Sequence, residues 1–135
     1  MRNKTFVIGC GRLGSRLAVH AYQNKERVTV IDTDERAFER LSDGFAGFTQ
    51  VGDATDVKTL EKLDFANAKT VIIVTGDDNA NLFLAHLAYK HFQIPHIYVR
   101  FDDPSRAPLI KGMPIKAIYP TQLSFETVKE LRGEN

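Results

Sequence analysis

A doubly wound α/β fold, with six parallel strands in the order 3-2-1-4-5-6, is what the sequence predicts, and three observations lead to it. Short apolar strands alternate with helical patterns along the whole of the 135 residues, as in a parallel sheet covered on both faces. The first strand runs into a glycine turn, Gly9-Cys10-Gly11-Arg12-Leu13-Gly14, that opens a helix. The second strand ends on an acid, Asp32. The length suits a single domain.

Each element follows from its local pattern. Residues 5–8 form the first strand, and a helix over about 11–22 buries Leu13, Leu17, Ala18 and Ala21 at helical spacing. The second strand is 28–31. Asp34 then caps a short helix whose Ala37, Phe38 and Leu41 face inward. Strand three, 48–51, leads through Gly52-Asp53-Ala54-Thr55 to a helix presenting Val57, Leu60 and Leu63. The fourth strand, 70–75, is the most hydrophobic and is expected at the centre of the sheet. It empties into Gly76-Asp77-Asp78-Asn79, with a long helix expected over about 80–92. Strand five is 96–100, and Asp103-Pro104 opens another helix with the acid as cap and proline in its first turn. Strand six is 116–119. A last amphipathic helix, about 122–131, carries Leu123, Val128 and Leu131 and ends at Gly133.

The glycine turn and the acid form one ligand-binding pattern. Gly9 permits a tight exit from the strand, Gly11 lets backbone approach phosphate, and Gly14 lets the helix press against the sheet. The helix start offers N–H groups and the positive end of its dipole to an anion. Asp32 is placed to accept hydrogen bonds from a ribose diol. A 2′-phosphate would meet that carboxylate with no Arg or Lys before Arg36, so the expected ligand is an unphosphorylated adenine nucleotide, ATP, ADP or NAD(H), rather than NADP(H). In this topology the ligand lies between strands one and four, where the strand order reverses.

Composition narrows the function classes. The hydrophobic fraction of 43% and charged fraction of 26% are those of a soluble globular chain. A net charge of +1 gives no electrostatic case for nucleic acid. No apolar run approaches the roughly 20 residues of a membrane span, and residues 1–4 run straight into the first strand, so neither insertion nor a cleaved leader is expected. One cysteine permits no internal disulfide, and a cytoplasmic setting is expected.

The motifs at 9–14, Val30-Ile31-Asp32, Gly52-Asp53-Ala54-Thr55, the turn after strand four and Arg100 on strand five together resemble the RCK or TrkA-N domain. That Rossmann-like N-lobe regulates Trk/Ktr potassium uptake systems and potassium channels. The resemblance implies a ligand-gated regulatory module and not a catalyst. It assigns Gly9, Gly11, Arg12, Leu13 and Gly14 to the phosphate turn, with Arg12 on phosphates of its own or a neighbouring subunit, and Asp32 to the ribose. Asp53, Ala54 and Thr55 would border adenine, Thr75 and Gly76 would line the wall beside phosphates and ribose, and Arg100 would lie near the phosphates. It further implies a homodimer or higher ring and a membrane potassium transporter or channel as partner, with the module peripheral to the inner membrane face. The family's larger unit continues into a C-terminal lobe that this sequence is expected to lack. Some relatives carry a carboxylate for a divalent cation after the proline that ends strand six. Here Thr121 follows Pro120, and no metal is expected there.

An NAD(H)-dependent oxidoreductase is the main alternative, but no Tyr-x-x-x-Lys pair occurs and no second domain supplies a substrate pocket. Cys10, beside a helix start where a thiol's pKa can fall, raises a redox-sensing alternative. Its plainer reading is a small residue at a variable motif position. His20, His86, His91 and His96 lack metal spacing and read as surface or packing residues. Asp77 and Asp78 read as helix caps rather than cation ligands. Tyr89, Phe92, Ile94, Pro95, Leu109, Ile110, Met113, Pro114 and Ile115 read partly as core and partly as an apolar patch for a two-fold partner.

Overall fold

The computed structural model describes residues 3–134. Its strands are β1 (Lys4–Ile8), β2 (Arg27–Asp32), β3 (Phe48–Val51), β4 (Thr70–Ile73), β5 (His96–Arg100) and β6 (Ile115–Ile118). They pair in parallel, in the order β3-β2-β1-β4-β5-β6 that the sequence predicts. The α-helices are α1 (Arg12–Gln23), α2 (Val57–Lys62), α3 (Asp78–His86) and α4 (Pro120–Leu131).

The central strands are apolar on both sides because each side faces a separate core layer. Phe6 and Ile8 of β1 enter the layer built with Ile31, Leu60, Phe65, Ile73 and Leu84. Val7 points the other way, to Ala18 and Ala21 of α1 and to Val28 and Val30 of β2. Phe65 anchors the first layer through edge contacts with Phe6 and Phe92, ring centroids 5.0 and 4.9 Å away. Val7 stands between Val30 and Ile72 in register, so the carboxyl ends of β1, β2 and β4 finish together at one edge.

Several boundaries differ from the sequence expectation, each for a local reason. β4 stops at Ile73 instead of residue 75: Val74 makes the last bond toward β1, to the Ile8 carbonyl (2.9 Å), and Thr75 N–H turns away to the Asn81 side chain. α3 starts at Asp78, earlier than expected, because Asp77 accepts from the N–H groups of Asn79 and Ala80. It passes into a π-helical turn over Leu87–His91, in which Phe92 N–H reaches the Leu87 carbonyl. The segments after Asp34 and Asp103 are 3-10 turns, Glu35–Arg40 and Pro104–Ile110, each capped by its predicted acid. Pro108 inside the latter has no N–H to donate.

The apolar patch expected around the end of α3 is largely core: Ile94, Ile110 and Ile115 are buried, and Tyr89, Phe92 and Met113 pack against them. Leu109 of that set stays exposed, and a larger cluster of exposed apolar side chains lies on α4. No residue of α4 is buried, and Leu123, Phe125, Val128 and Leu131 are between 53% and 82% exposed.

The seat of α1 depends on the absence of one side chain. A Cβ on Gly14 would lie 1.8 Å from the Gly9 carbonyl oxygen and 3.1 Å from Val74 Cγ2. Gly14→Ala is therefore expected to cost about 1–3 kcal/mol through overpacking, read as a lower denaturant midpoint. An unchanged midpoint would mean that α1 is not held against β1 and β4 in this way.

Candidate functional site

The carboxyl ends of β1 and β4 part where the strand order reverses, leaving an open crevice of about 490 Å³, within the size range of small-molecule sites. Nine of the predicted site residues line it: Gly9, Gly11, Asp32, Asp53, Ala54, Thr55, Thr75, Gly76 and Arg100. Arg12, Leu13 and Gly14 do not line its wall.

The floor is the β1–α1 turn. Gly9 adopts φ of +102°, and a Cβ there would lie 2.8 Å from the Val74 carbonyl oxygen, so the turn requires glycine on both counts. Gly11 is the N-cap of α1, extended and open to solvent, with nothing near the position of a Cβ. No side chain caps the helix, and its first turn carries no acid. The N–H groups of Gly11, Arg12, Leu13 and Gly14 find no acceptor among the described residues, the first intrahelical donor being Ser15 to the Gly11 carbonyl (2.9 Å). What Leu13 and Gly14 offer at this helix start is backbone N–H and not side chain. The twelve-residue helix α1 thus begins with uncapped N–H groups at the positive end of its dipole.

Asp32, at the tip of β2, is held from two directions. Its Oδ2 accepts from Cys10 N–H and its Oδ1 from Asp34 N–H, both at 2.8 Å. A carboxylate has about four acceptor positions, so roughly two remain for a ligand, on a group whose orientation is already fixed. Beside it, Asp53 accepts from the amide (2.9 Å) and hydroxyl (2.6 Å) of Thr55, and these bonds hold its pKa below the ordinary value. Ala54 is buried in the core and presents only a small wall.

The opposite wall is built differently from the expectation. The Thr75 hydroxyl and amide both donate to Asn81 Oδ1, and Asp77 N–H donates to the Thr75 hydroxyl (3.2 Å). Gly76 N–H has no acceptor among the described residues. The Arg100 side chain is 29% exposed and pairs with Asp102, Nη2 to Oδ1 at 3.1 Å, so its charge is already shared. Sequence reasoning missed Ala80 and Leu84 on the wall and gave no role to Asn81 behind it, whereas Thr33 and Asp77 lie in the loops that leave β2 and β4. Of these, only Asp77 carries a local signal, the Asx cap.

Three carboxylates, of Asp32, Asp53 and Asp77, and one guanidinium line the crevice. An anion here is therefore served by backbone N–H groups more than by side-chain cations. Among the described residues no three His, Cys, Asp or Glu side chains converge as a metal site. His20 meets Asn24, His86 meets the Leu109 carbonyl (2.9 Å) and His91 makes an edge contact with Phe92. Cys10 is fully buried. Burial first, and then the Asp32 charge, push its thiol up to about 11, with Arg40 offsetting part. This is the reverse of the lowered pKa that a helix start can confer, so the thiol is not an activated nucleophile at neutral pH.

A family model described as the TrkA-N domain matches residues 5–120. A Trk system potassium uptake protein TrkA from Streptomyces coelicolor is 33% identical over 112 residues, 83% of this chain and 50% of that protein. The chain thus spans half the length of that relative. Among solved structures, the GsuK channel bound to NAD superposes with a TM-score of 0.75 at 23% identity, over 95% of this chain and 23% of that one. The Kef CTD of Shewanella denitrificans in AMP-bound form gives 0.72 at 18% identity, over 95% of this chain and 81% of that one. At these identities the two structures show the fold. No helix among the described residues is long and apolar enough to cross a membrane.

The Cys10 thiol makes stability depend on alkaline pH. Its folded pKa of about 11 exceeds the ordinary 9.0, so the unfolded chain loses the proton first as pH rises. The contribution is fully present below about 9 and is lost as pH climbs to about 11. Denaturant midpoints across pH 8–11 are expected to fall more steeply in the native protein than in Cys10→Ala; parallel slopes would show that the thiol is not buried as described.

Proposed function

The chain belongs to the TrkA-N domain family, and from that premise we propose a regulatory module that binds an adenine nucleotide with a free ribose diol and acts on a membrane potassium transporter or channel. The observation that carries this reading is the pairing of an uncapped helix start at Gly11 with the oriented, half-used carboxylate of Asp32 across one crevice. Phosphate on the former and the diol on the latter match the two ends of an adenylate. The NAD-bound GsuK channel and the AMP-bound Kef CTD support the ligand class. The Trk system relative supports the partner class.

Binding rather than chemistry suits the lining. Its titratable side chains are three aspartates and one arginine, and no His, Lys, Tyr or Cys faces the crevice to transfer a proton to a substrate. Arg12 is exposed and off the wall. Its role in this reading is to meet the outer phosphates of a nucleotide held by a neighbouring copy, through charge-assisted bonds of about 1.5–3 kcal/mol each. Regulation then requires unequal affinity for two arrangements of the copies: about 5.5 kcal/mol shifts an equilibrium from 1:99 to 99:1. Assembly as a dimer or ring also gives the apolar face of α4 a place to be buried.

Titration calorimetry with AMP, ADP, ATP, NAD and NADP is expected to show binding of the first four and weaker binding of NADP. No heat from any of them at millimolar concentration would remove the proposal. In the wild type, 2′-deoxy-AMP is expected to bind about 10-fold or more weaker than AMP, for loss of a bond to the Asp32 carboxylate.

Gly11→Asp separates the fold from the site. An aspartate there caps α1 with its own carboxylate and is expected to leave stability unchanged or raise it by up to about 1 kcal/mol, while abolishing AMP binding. Gly11→Asn, which caps without charge, is expected to lose less affinity. Retention of wild-type affinity in Gly11→Asp would take the phosphate away from this helix. For assembly, sedimentation of Phe125→Glu/Leu131→Glu is expected to show smaller species than the native protein; identical species would exclude α4 from the contact.

A further inference from the structure

We infer that Asn81, a residue with no surface in the crevice, is the positioning residue for its phosphate wall; the inference rests on the nucleotide reading above. The side chain is 0% exposed, yet its amide uses every hydrogen-bonding position it has. Oδ1 accepts from the Thr75 amide (3.2 Å) and the Thr75 hydroxyl, and Nδ2 donates to the carbonyls of Thr75 (3.0 Å) and Arg100 (2.8 Å).

Where these bonds fall gives them their meaning. The β4–β5 ladder ends with Ile73 opposite Val99, one residue before Arg100 and two before Thr75. Beyond that pair no backbone hydrogen bond joins the ends of the two chains among the described residues. One buried amide from α3 joins them instead. It fixes the level of Thr75, and hence of Gly76 with its free N–H, and it fixes the backbone from which Arg100 projects.

The same helix holds the other end of Arg100. The Arg100 guanidinium rests on Asp102, whose N–H is taken by Asp78 Oδ1 (2.8 Å). The wall offered to a phosphate is therefore a rigid unit set from α3. On the nucleotide reading adenosine, which lacks a phosphate, draws less than AMP on that wall's N–H groups and guanidinium.

That asymmetry provides the test. Affinities for adenosine and AMP are measured by calorimetry in the wild type and in Asn81→Asp, which keeps shape and both accepting positions but removes both donors. AMP is expected to weaken about tenfold and adenosine to stay within about twofold, the scale of one misplaced hydrogen bond to a charged group. A parallel loss for both ligands, or none for either, overturns the positioning role. A second measurement needs no variant: in the native protein, the Asn81 side-chain amide proton resonances are expected to shift on adding AMP and not on adding adenosine. Resonances unmoved by saturating AMP overturn the role even if Asn81→Asp does not fold. Binding of neither ligand by the native protein overturns the nucleotide reading itself and this inference with it, whereas binding of both with an unaltered ratio in the variant overturns only the inference.

Discussion

The contact on which the rest depends is between two glycines. A Cβ of Gly14 would lie only 1.8 Å from the Gly9 carbonyl oxygen, so α1 sits at a distance from β1 that a side chain at position 14 does not permit. That closeness turns the start of α1 toward the crevice instead of letting it drift over the sheet. The cap position falls to Gly11, which supplies no oxygen of its own. Close packing at Gly14 and an uncapped start at Gly11 are set by separate glycines of the same turn. The first is a matter of stability, and the second leaves a group of N–H donors in want of an anion.

Legibility in the sequence followed the range of the interaction. The glycine turn, the acid ending β2, and the caps Asp34, Asp77 and Asp103 were readable because each acts on residues within a few positions. Strand order was readable because a parallel sheet with right-handed crossovers leaves few alternatives. The opposite wall was not readable. Asn81 bonds Arg100, and Asp78 bonds Asp102 and Asp103, across separations that no helical or strand period encodes. Asn81 in particular looked like an ordinary polar position on a helix, since nothing local distinguishes a solvated asparagine from a buried one.

The apolar residues around the end of α3 and those of α4 show the same limit in another form. Hydrophobicity marks a side chain for burial without saying against what. Ile94, Ile110 and Ile115 found the core of their own chain, and Leu123, Phe125, Val128 and Leu131 did not. The difference is topological. Connections bounded by two strands fold back over the sheet, whereas α4 follows the edge strand β6 and, among the described residues, packs none of its side chains into the core.

The charge arrangement in the crevice sharpens what the proposed ligand is asked to do. With three carboxylates on the lining and the one arginine already shared with Asp102, a phosphate gains less from net charge than from the direction of fixed N–H groups. Directional bonds weaken steeply with misalignment, so in such a site small movements of the wall matter more than they would beside a loose lysine. Under the proposed reading this couples ligand grip to backbone geometry at Gly76 and Arg100, and the same α3 side chains run on through Asp102 and Asp103 to the 3-10 turn that leads into β6 and α4. Those bonds reach as far as Asp103, and from there the chain itself leads through the 3-10 turn and β6 to the apolar face of α4.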